Sequence, residues 1–298
     1  MNPRERGFLL LTSHLGDPER RVLSVPQMRV LAQRIAGADL PEGDRDLAPG
    51  DLMALGYGEE MARRIVALLE EDDLLDYYLG RGSRAGCTPI TRVSEGYPLE
   101  LRKRLGLDSP GCLWAKGDLT LLDSPKIALV GSRDLYPVNQ EFAAEVGRQA
   151  ALQGFTLVSG NARGADRAAQ DACLRSGGRV ISVIADTLAD KPARQNVLYL
   201  SEDCYDGEFS AQRALSRNRV IHALGAMTFV AQSSYRSGGT WDGTVKNLRF
   251  RWSSVYCFQD GSPAAAELEQ MGAGLVDLED LADLCGLFAG PDNFLYME

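Results

Sequence analysis

The stretch from Lys126 to Asp166 leaves this chain few folds to choose from. Ile127–Val130 and Thr156–Ser159 are short, apolar and rich in β-formers, as strands buried on both faces are. Between them Phe142, Val146 and Ala150 recur every four residues, so residues 139–153 read as a helix with one buried side. Strand, helix, strand makes a right-handed crossover, and hence an α/β fold: a parallel sheet with helices on both faces. Glycine follows each strand, in Gly131-Ser132-Arg133 and in Ser159-Gly160-Asn161-Ala162-Arg163-Gly164-Ala165-Asp166. Ligands of open α/β sheets bind at these carboxyl ends. Gly131 and Gly160 permit sharp turns and close backbone approach, and helix amino termini favour phosphate. Arg133 and Arg163 add fixed positive charge and bidentate donors. The expectation is a phosphate-bearing ligand held across the Gly131 and Gly160 loops.

Residues 1–85 read as a small helical domain and residues 86–298 as the α/β domain. In the first, Met28, Leu31 and Ile35 mark one face of a helix, and Pro41–Pro49 is a polar loop. Asp51–Gly58 followed by Ala62, Ile65, Leu68 and Leu69 has the form of a helix-hairpin-helix, whose glycine turn offers amides to a nucleic-acid phosphate. A purely structural helical pair is the plainer alternative, and Glu59 and Glu60 beside the turn would repel phosphate. Gly80–Gly86, with three glycines and two arginines, reads as a linker. Strands are expected at Cys87–Val93, Leu113–Lys116, Val180–Ala185, Leu198–Glu202, Ala226–Ala231, Val255–Phe258 and Leu275–Val276. Helices are expected at Phe8–Leu11, Leu99–Leu105, Ala168–Leu174, Gln212–Leu224, Ala264–Met271 and Leu278–Leu287. A third small-residue loop, Ser233–Thr240, follows the strand at Ala226–Ala231.

Several pieces recur in a telling order: Tyr97-Pro98-Leu99-Glu100-Leu101, Leu113-Trp114-Ala115-Lys116-Gly117-Asp118, Val130-Gly131-Ser132-Arg133, the run Ser159–Asp166, Arg217-Asn218-Arg219-Val220-Ile221 and Ser237-Gly238-Gly239-Thr240. Over roughly half the chain this order resembles the DNA-processing protein A family (DprA, or Smf), within the wider Rossmann-like nucleotide and nucleic-acid binders. The resemblance implies a Rossmann-like domain that binds single-stranded DNA and passes it to a RecA-type recombinase in DNA uptake or recombination. It also implies a cytoplasmic homodimer with no catalytic residues, cofactor or metal. Phosphate contacts would then fall on Gly131, Ser132, Arg133, Ser159, Gly160, Asn161, Arg163, Gly164, Asp166, Arg217, Asn218, Arg219, Ser237, Gly238, Gly239 and Thr240. Asp166 could orient a ribose or cap its helix, and Arg217 and Arg219 could line the groove or pair with acids. Where members carry histidine this chain has Gln170, and Ala214-Leu215 replaces a Phe-Pro pair whose aromatic stacks on a base. Phe209 or Tyr235 could take over that stacking or serve as packing. The winged-helix domain of many members has no counterpart in these 298 residues.

A net charge of −9 disfavours a tight non-specific grip on DNA. The acids gather at Glu70–Asp73 and Asp277–Asp283, however, which leaves room for a local positive cleft. The six cysteines show no Cys-x-x-Cys and read as reduced thiols, and no apolar run nears the roughly 20 residues of a membrane span. Of the two histidines, His222 reads as a surface group or a satisfied partner rather than a base. Leu268, Met271, Leu275 and Leu278 could supply a dimer patch or core. The competing function is a nucleotide pocket, in a sensor or a LOG-type nucleoside monophosphate phosphoribohydrolase. Gly239-Thr240 and Gly243-Thr244 resemble that enzyme's phosphate loop, but Lys246 follows where a catalytic glutamate is needed.

Overall fold

The computed structural model describes residues 1–38 and 47–288. Of the loop expected over Pro41–Pro49, residues 41–46 lie outside the described residues. Helices α1 (Pro3–Thr12), α2 (Val25–Ala36), α3 (Pro49–Ala54), α4 (Glu59–Leu69) and α5 (Asp72–Arg84) come first. Then follow β1 (Thr88–Thr91), α6 (Leu99–Leu105), β2 (Cys112–Lys116), β3 (Lys126–Val130), α7 (Pro137–Leu152), β4 (Thr156–Ser159), α8 (Ala165–Arg175), β5 (Arg179–Ile184) and β6 (Val197–Glu202). The chain continues through α9 (Ala211–Leu224), β7 (Met227–Val230), α10 (Gly238–Phe250), β8 (Ser254–Phe258), α11 (Pro263–Gln270), β9 (Gly274–Val276) and α12 (Leu284–Phe288).

All nine strands form one sheet in the order β1-β2-β6-β5-β4-β3-β7-β8-β9. From β6 to β9 every pairing is parallel, and β1 and β2 join at the β6 edge antiparallel. The parallel strands are buried on both faces because side chains alternate. Along β3, Ile127 and Leu129 enter one apolar cluster with Phe142, Val146 and Ala150 of α7 and Ala165, Ala169 and Cys173 of α8. Ala128 and Val130 enter the opposite cluster, with Val220, Ile221 and Leu224 of α9. Helices therefore cover both faces. Gly147 lets α7 lie against α8, since a Cβ there would collide with the Ala169 carbonyl.

The amino-terminal helices have their own small core of Leu11, Leu23, Leu31, Leu52, Ala62, Ile65 and Leu68. Ile35 was expected beside Leu31 but is 40% exposed, so the buried stripe of α2 is narrower than its apolar residues suggest. The turn between α3 and α4 spends its amides internally: Gly56 donates to Met53 and Tyr57 to Leu52. Leu9, Leu10, Leu75 and Tyr78 pack into the same cluster as Trp114 and Tyr205, against the sheet. Of the four residues read as dimer patch or core, Leu268 is fully buried in the core, Leu275 and Leu278 are half-buried, and Met271 is exposed. The helix expected over Leu278–Leu287 is broken into a 3-10 turn at Asp280–Asp283 and the short α12. Gln153 holds that break, donating to the Leu281 carbonyl and accepting from the Leu284 amide.

Gly80–Gly86 is not a linker. Its residues up to Arg84 form the end of α5, Ala85 and Gly86 turn towards β1, and Gly82 is buried against the ring of Trp114. Trp114 meets Tyr78 edge-on at 5.6 Å and Tyr205 at 4.6 Å, so the glycine is there to admit an aromatic cluster. A Cβ at residue 82 would stand 2.8 Å from Trp114 Cζ3. Gly82→Ala should therefore destabilise the chain by about 1–3 kcal/mol in urea unfolding, as overpacked cores do. A neutral or stabilising effect, which a solvated linker would give, would contradict the packing.

Candidate functional site

The strand order reverses at β3. The chain adds β4, β5 and β6 on one side of it, then crosses over to lay β7, β8 and β9 on the other. The loops leaving β3 and β7 diverge there and open a crevice, the ligand position of doubly wound sheets. A cleft of about 690 Å³ lies at this point. It is lined by Gly131–Asp134 after β3, by Gln232, Ser234 and Ser237–Thr240 after β7, and by Phe209, Leu215, Arg217 and Asn218 around α9.

Short-range bonds fix the β3 loop. The Ser132 amide donates to the Gln232 carbonyl at 2.9 Å, and the Gln232 side chain accepts from the Tyr136 amide at 2.9 Å and donates to the Asp134 carbonyl at 3.2 Å. On the other side the Ala165 amide donates to the Ser132 carbonyl at 3.2 Å. Gly164 has φ +86°, and a Cβ there would strike the carbonyls of Ser132 and Arg133. Glycine is thus required for the β3 loop to sit on the start of α8. Gln232 is a stitch that sequence reasoning missed; its only sequence signal is its place at the carboxyl end of a buried strand.

The β4 loop departs from expectation. Ser159 is fully buried and its hydroxyl accepts from Gln170 Nε2 at 2.6 Å. A Cβ at Gly160 would intrude on the Arg217 guanidinium, which is buried and donates to the Val183 carbonyl at 2.8 Å. The Arg217 Nε has no partner among the described residues. Asp166 accepts from the Ala162 amide at 3.0 Å, so its carboxylate caps this loop. Burial raises the Asp166 pKa against the pull of Arg217, and burial lowers that of Arg217. Asn161 holds a left-handed turn at φ +59° and does not line the cleft. Ser159 and Gly160 therefore sit against Gln170 and Arg217 and do not line the cleft. Arg219 is half-buried outside the cleft, paired with Glu202 at 2.7 Å and donating to the Asp108 carbonyl at 2.9 Å. Burial pushes the Glu202 carboxyl up to about 7. Arg163 pairs with Asp134 at 2.6 Å, both of them exposed, a contact worth little in water.

The third loop is the open one. Ser237 stands at the N-cap of α10 but makes no side-chain capping bond, and Gly238 takes φ +83°. The first-turn amides of α10 have no intrahelical acceptors and face a site for negative charge. Asn218 holds this turn by donating to the Gly239 carbonyl at 3.1 Å. Arg133 is exposed and has no acid partner among the described residues. Phe209 and Leu215 line the same cleft, 58% and 52% exposed. Tyr235 instead leans on Trp241, at 6.0 Å, and on Arg236. The lining charges are Arg133 and Arg217 against Asp134, Asp166 and Asp242, so anion binding here depends on dipoles and on Arg133.

A sequence profile of DNA recombination-mediator protein A matches residues 88–247, more than half of the chain and all of the cleft. The chain belongs to this family. The DNA processing protein DprA of Streptococcus pneumoniae is 35% identical over 201 residues, covering 62% of this chain and 69% of its own length. That of Bacillus subtilis is 32% identical over 165 residues, covering 51% of this chain and 54% of the relative, so the chain spans about half of that protein. The crystal structure of the Streptococcus pneumoniae protein superposes with a TM-score of 0.71 at 23% identity, covering 95% of this chain and 99% of that one, which establishes a shared fold.

In this member of the DNA recombination-mediator protein A family, His222 is a core group rather than a surface one. It is buried behind the cleft, its Nδ1 accepting from Asn247 Nδ2 at 3.1 Å, while Asn247 also donates to Ser253 at 2.9 Å. Burial holds its imidazole down to about 3. The unfolded chain takes up a proton as pH falls through about 6.5, and the folded chain does not until about 3. Stability contributed by neutral His222 is therefore complete above that upper value and lost below it, by up to about 1.4 kcal/mol per pH unit. His222→Gln should remove this component, so the parent and the variant should converge in urea unfolding free energy as pH falls from 7 to 5. Parallel pH profiles would contradict it.

Proposed function

We propose that this chain binds single-stranded DNA in the switch-point cleft, phosphates on Arg133 and the first turn of α10, a base against Phe209 and Leu215. One observation carries the reading: an uncapped helix terminus and an unpaired arginine share a cleft with two exposed apolar side chains. Phosphate and base face are the two things a single strand offers together, whereas a duplex hides its base faces in the stack. A protein of this fold and family from Helicobacter pylori, with a TM-score of 0.56 and 22% identity over 67% of this chain, is described by its single-stranded DNA binding mode. The net charge of −9 sets the expected affinity low and strongly salt-dependent. Asn161, Arg163 and Gly164 act at the rim or as scaffold.

We read the site as a binding site rather than a catalytic one. The resembled phosphoribohydrolases place a glutamate after this loop, where this chain has Lys246; of the carboxylates present, Asp166 is engaged by the Ala162 amide and Asp242 lies exposed beside the turn. Further parts of the proposal are a division at residue 85 between helical and Rossmann-like domains, pairing with a second copy, a cytoplasmic setting and delivery of the strand to a RecA-type recombinase. Light scattering that finds only monomer at tens of micromolar would remove the pairing.

With about three phosphates engaged, log K should fall with log salt at a slope of about −2, and Arg133→Ala should make it shallower by about 0.7. Phe209→Ala should cost about 1–3 kcal/mol of binding, the range of one base stacked on an aromatic. Both variants replace exposed side chains and should melt like the parent. A salt-independent affinity, or parental binding by both variants, would overturn the reading. Release of free adenine from adenosine monophosphate would replace it with the enzyme.

A further inference from the structure

Arg133 and Asp134 line a second groove, of about 550 Å³, which opens from the rim of the cleft onto the outer surface of α7 and α8. Its other charged lining residues are Arg163, Arg167, Asp171 and Arg175. The last three stand four residues apart along α8 and therefore form one stripe, with Arg163 just before the helix in the same spacing. Counting the whole lining, four arginines face two aspartates on a chain whose net charge is −9. Arg163, Arg167 and Arg175 are all exposed. No ion pair engages Arg167, Arg175 or Asp171 among the described residues, and the one pair present, Arg163 with Asp134, is weak because both side chains are exposed. The walls are Ala144, Gly164 and Ala168, with Leu135 the one large apolar side chain, so an extended backbone could lie close while an apolar protein surface would find little to cover.

We infer that the α7–α8 groove carries the continuation of the strand held in the cleft, binding its sugar-phosphate backbone through Arg167 and Arg175. This rests on the reading of the cleft as a single-strand site. Two features choose the occupant: the net charge of the lining is complementary to a polyanion, and Arg133 belongs to both surfaces together with Asp134, whose carboxylate is paired with Arg163, so a strand leaving the cleft passes from Arg133 to the stripe. Arg167 and Arg175 lie about 12 Å apart along the helix axis. Phosphates of one stacked strand follow at about 3.4 Å, so the stripe spans several nucleotides.

The test compares an oligothymidylate of about 5 nucleotides with one of about 15, the two ends of the range of single-strand site sizes. Both are titrated by fluorescence anisotropy into the full chain, into Arg167→Ala/Arg175→Ala and into a charge-matched control, Arg4→Ala/Arg194→Ala, whose two arginines are exposed and line neither groove. The stripe variant should bind the short strand like the parent and the long one several-fold more weakly, its salt slope shallower by about 1.4. The control should match the parent at both lengths. Unchanged binding of the long strand by the stripe variant, or an equal loss in the control, overturns the inference and leaves the cleft standing. Failure of the parent to bind either strand overturns both.

Discussion

Arg217 reaches beneath the Gly160 turn and donates to the Val183 carbonyl, and no side chain at residue 160 could share that space. This guanidinium ties α9 to β5 and fills the carboxyl edge of the sheet between β4 and β5. Asp166 favours its charge from nearby and itself accepts from the Ala162 amide. One half of the carboxyl edge is therefore closed by its own chemistry. The half that stays open is the switch point between β3 and β7.

The proposed binding of a polyanion by an acidic chain is less paradoxical once the charges are placed. The cleft itself balances two arginines against three aspartates and takes its anion preference from helix dipole and backbone amides. Free arginines stand next to it, on the outside of α8. In the proposed reading, steering and lengthwise grip come from the stripe, while close fit comes from the uncapped turn of α10 and from Phe209 and Leu215. The division also suits a binder that must release its strand, because screened surface charges exchange readily with salt.

The crossover from β3 to β4 was legible because two signals agreed: apolar runs of strand length, and a four-residue apolar period between them. The whole parallel sheet follows from repeating that reading. What one sequence does not say is which neighbour a glycine makes room for. Gly160 looks like an approach for a phosphate and is an approach for Arg217; Gly82 looks like a hinge and is an approach for Trp114; Gly164 admits the carbonyls of Ser132 and Arg133. Arginines carry the same ambiguity. Arg133, Arg217 and Arg219 look alike in the chain, yet one is free, one is buried against a carbonyl and one is bonded to Glu202. These choices are made by residues tens of positions away, beyond the reach of local pattern. The spacing of Arg163, Arg167 and Arg175, in contrast, is readable in the sequence, and is masked only by the pull of the strand-end glycines.

In the proposed reading, ligand enters between the β3 and β7 loops and not between the β3 and β4 loops. Hydrogen–deuterium exchange with and without a saturating oligothymidylate separates the two most directly. Protection of residues 131–136 and 237–241, with no change at residues 156–161, is the result the proposed cleft requires. Protection centred on residues 156–161 with none at the start of α10 would contradict it.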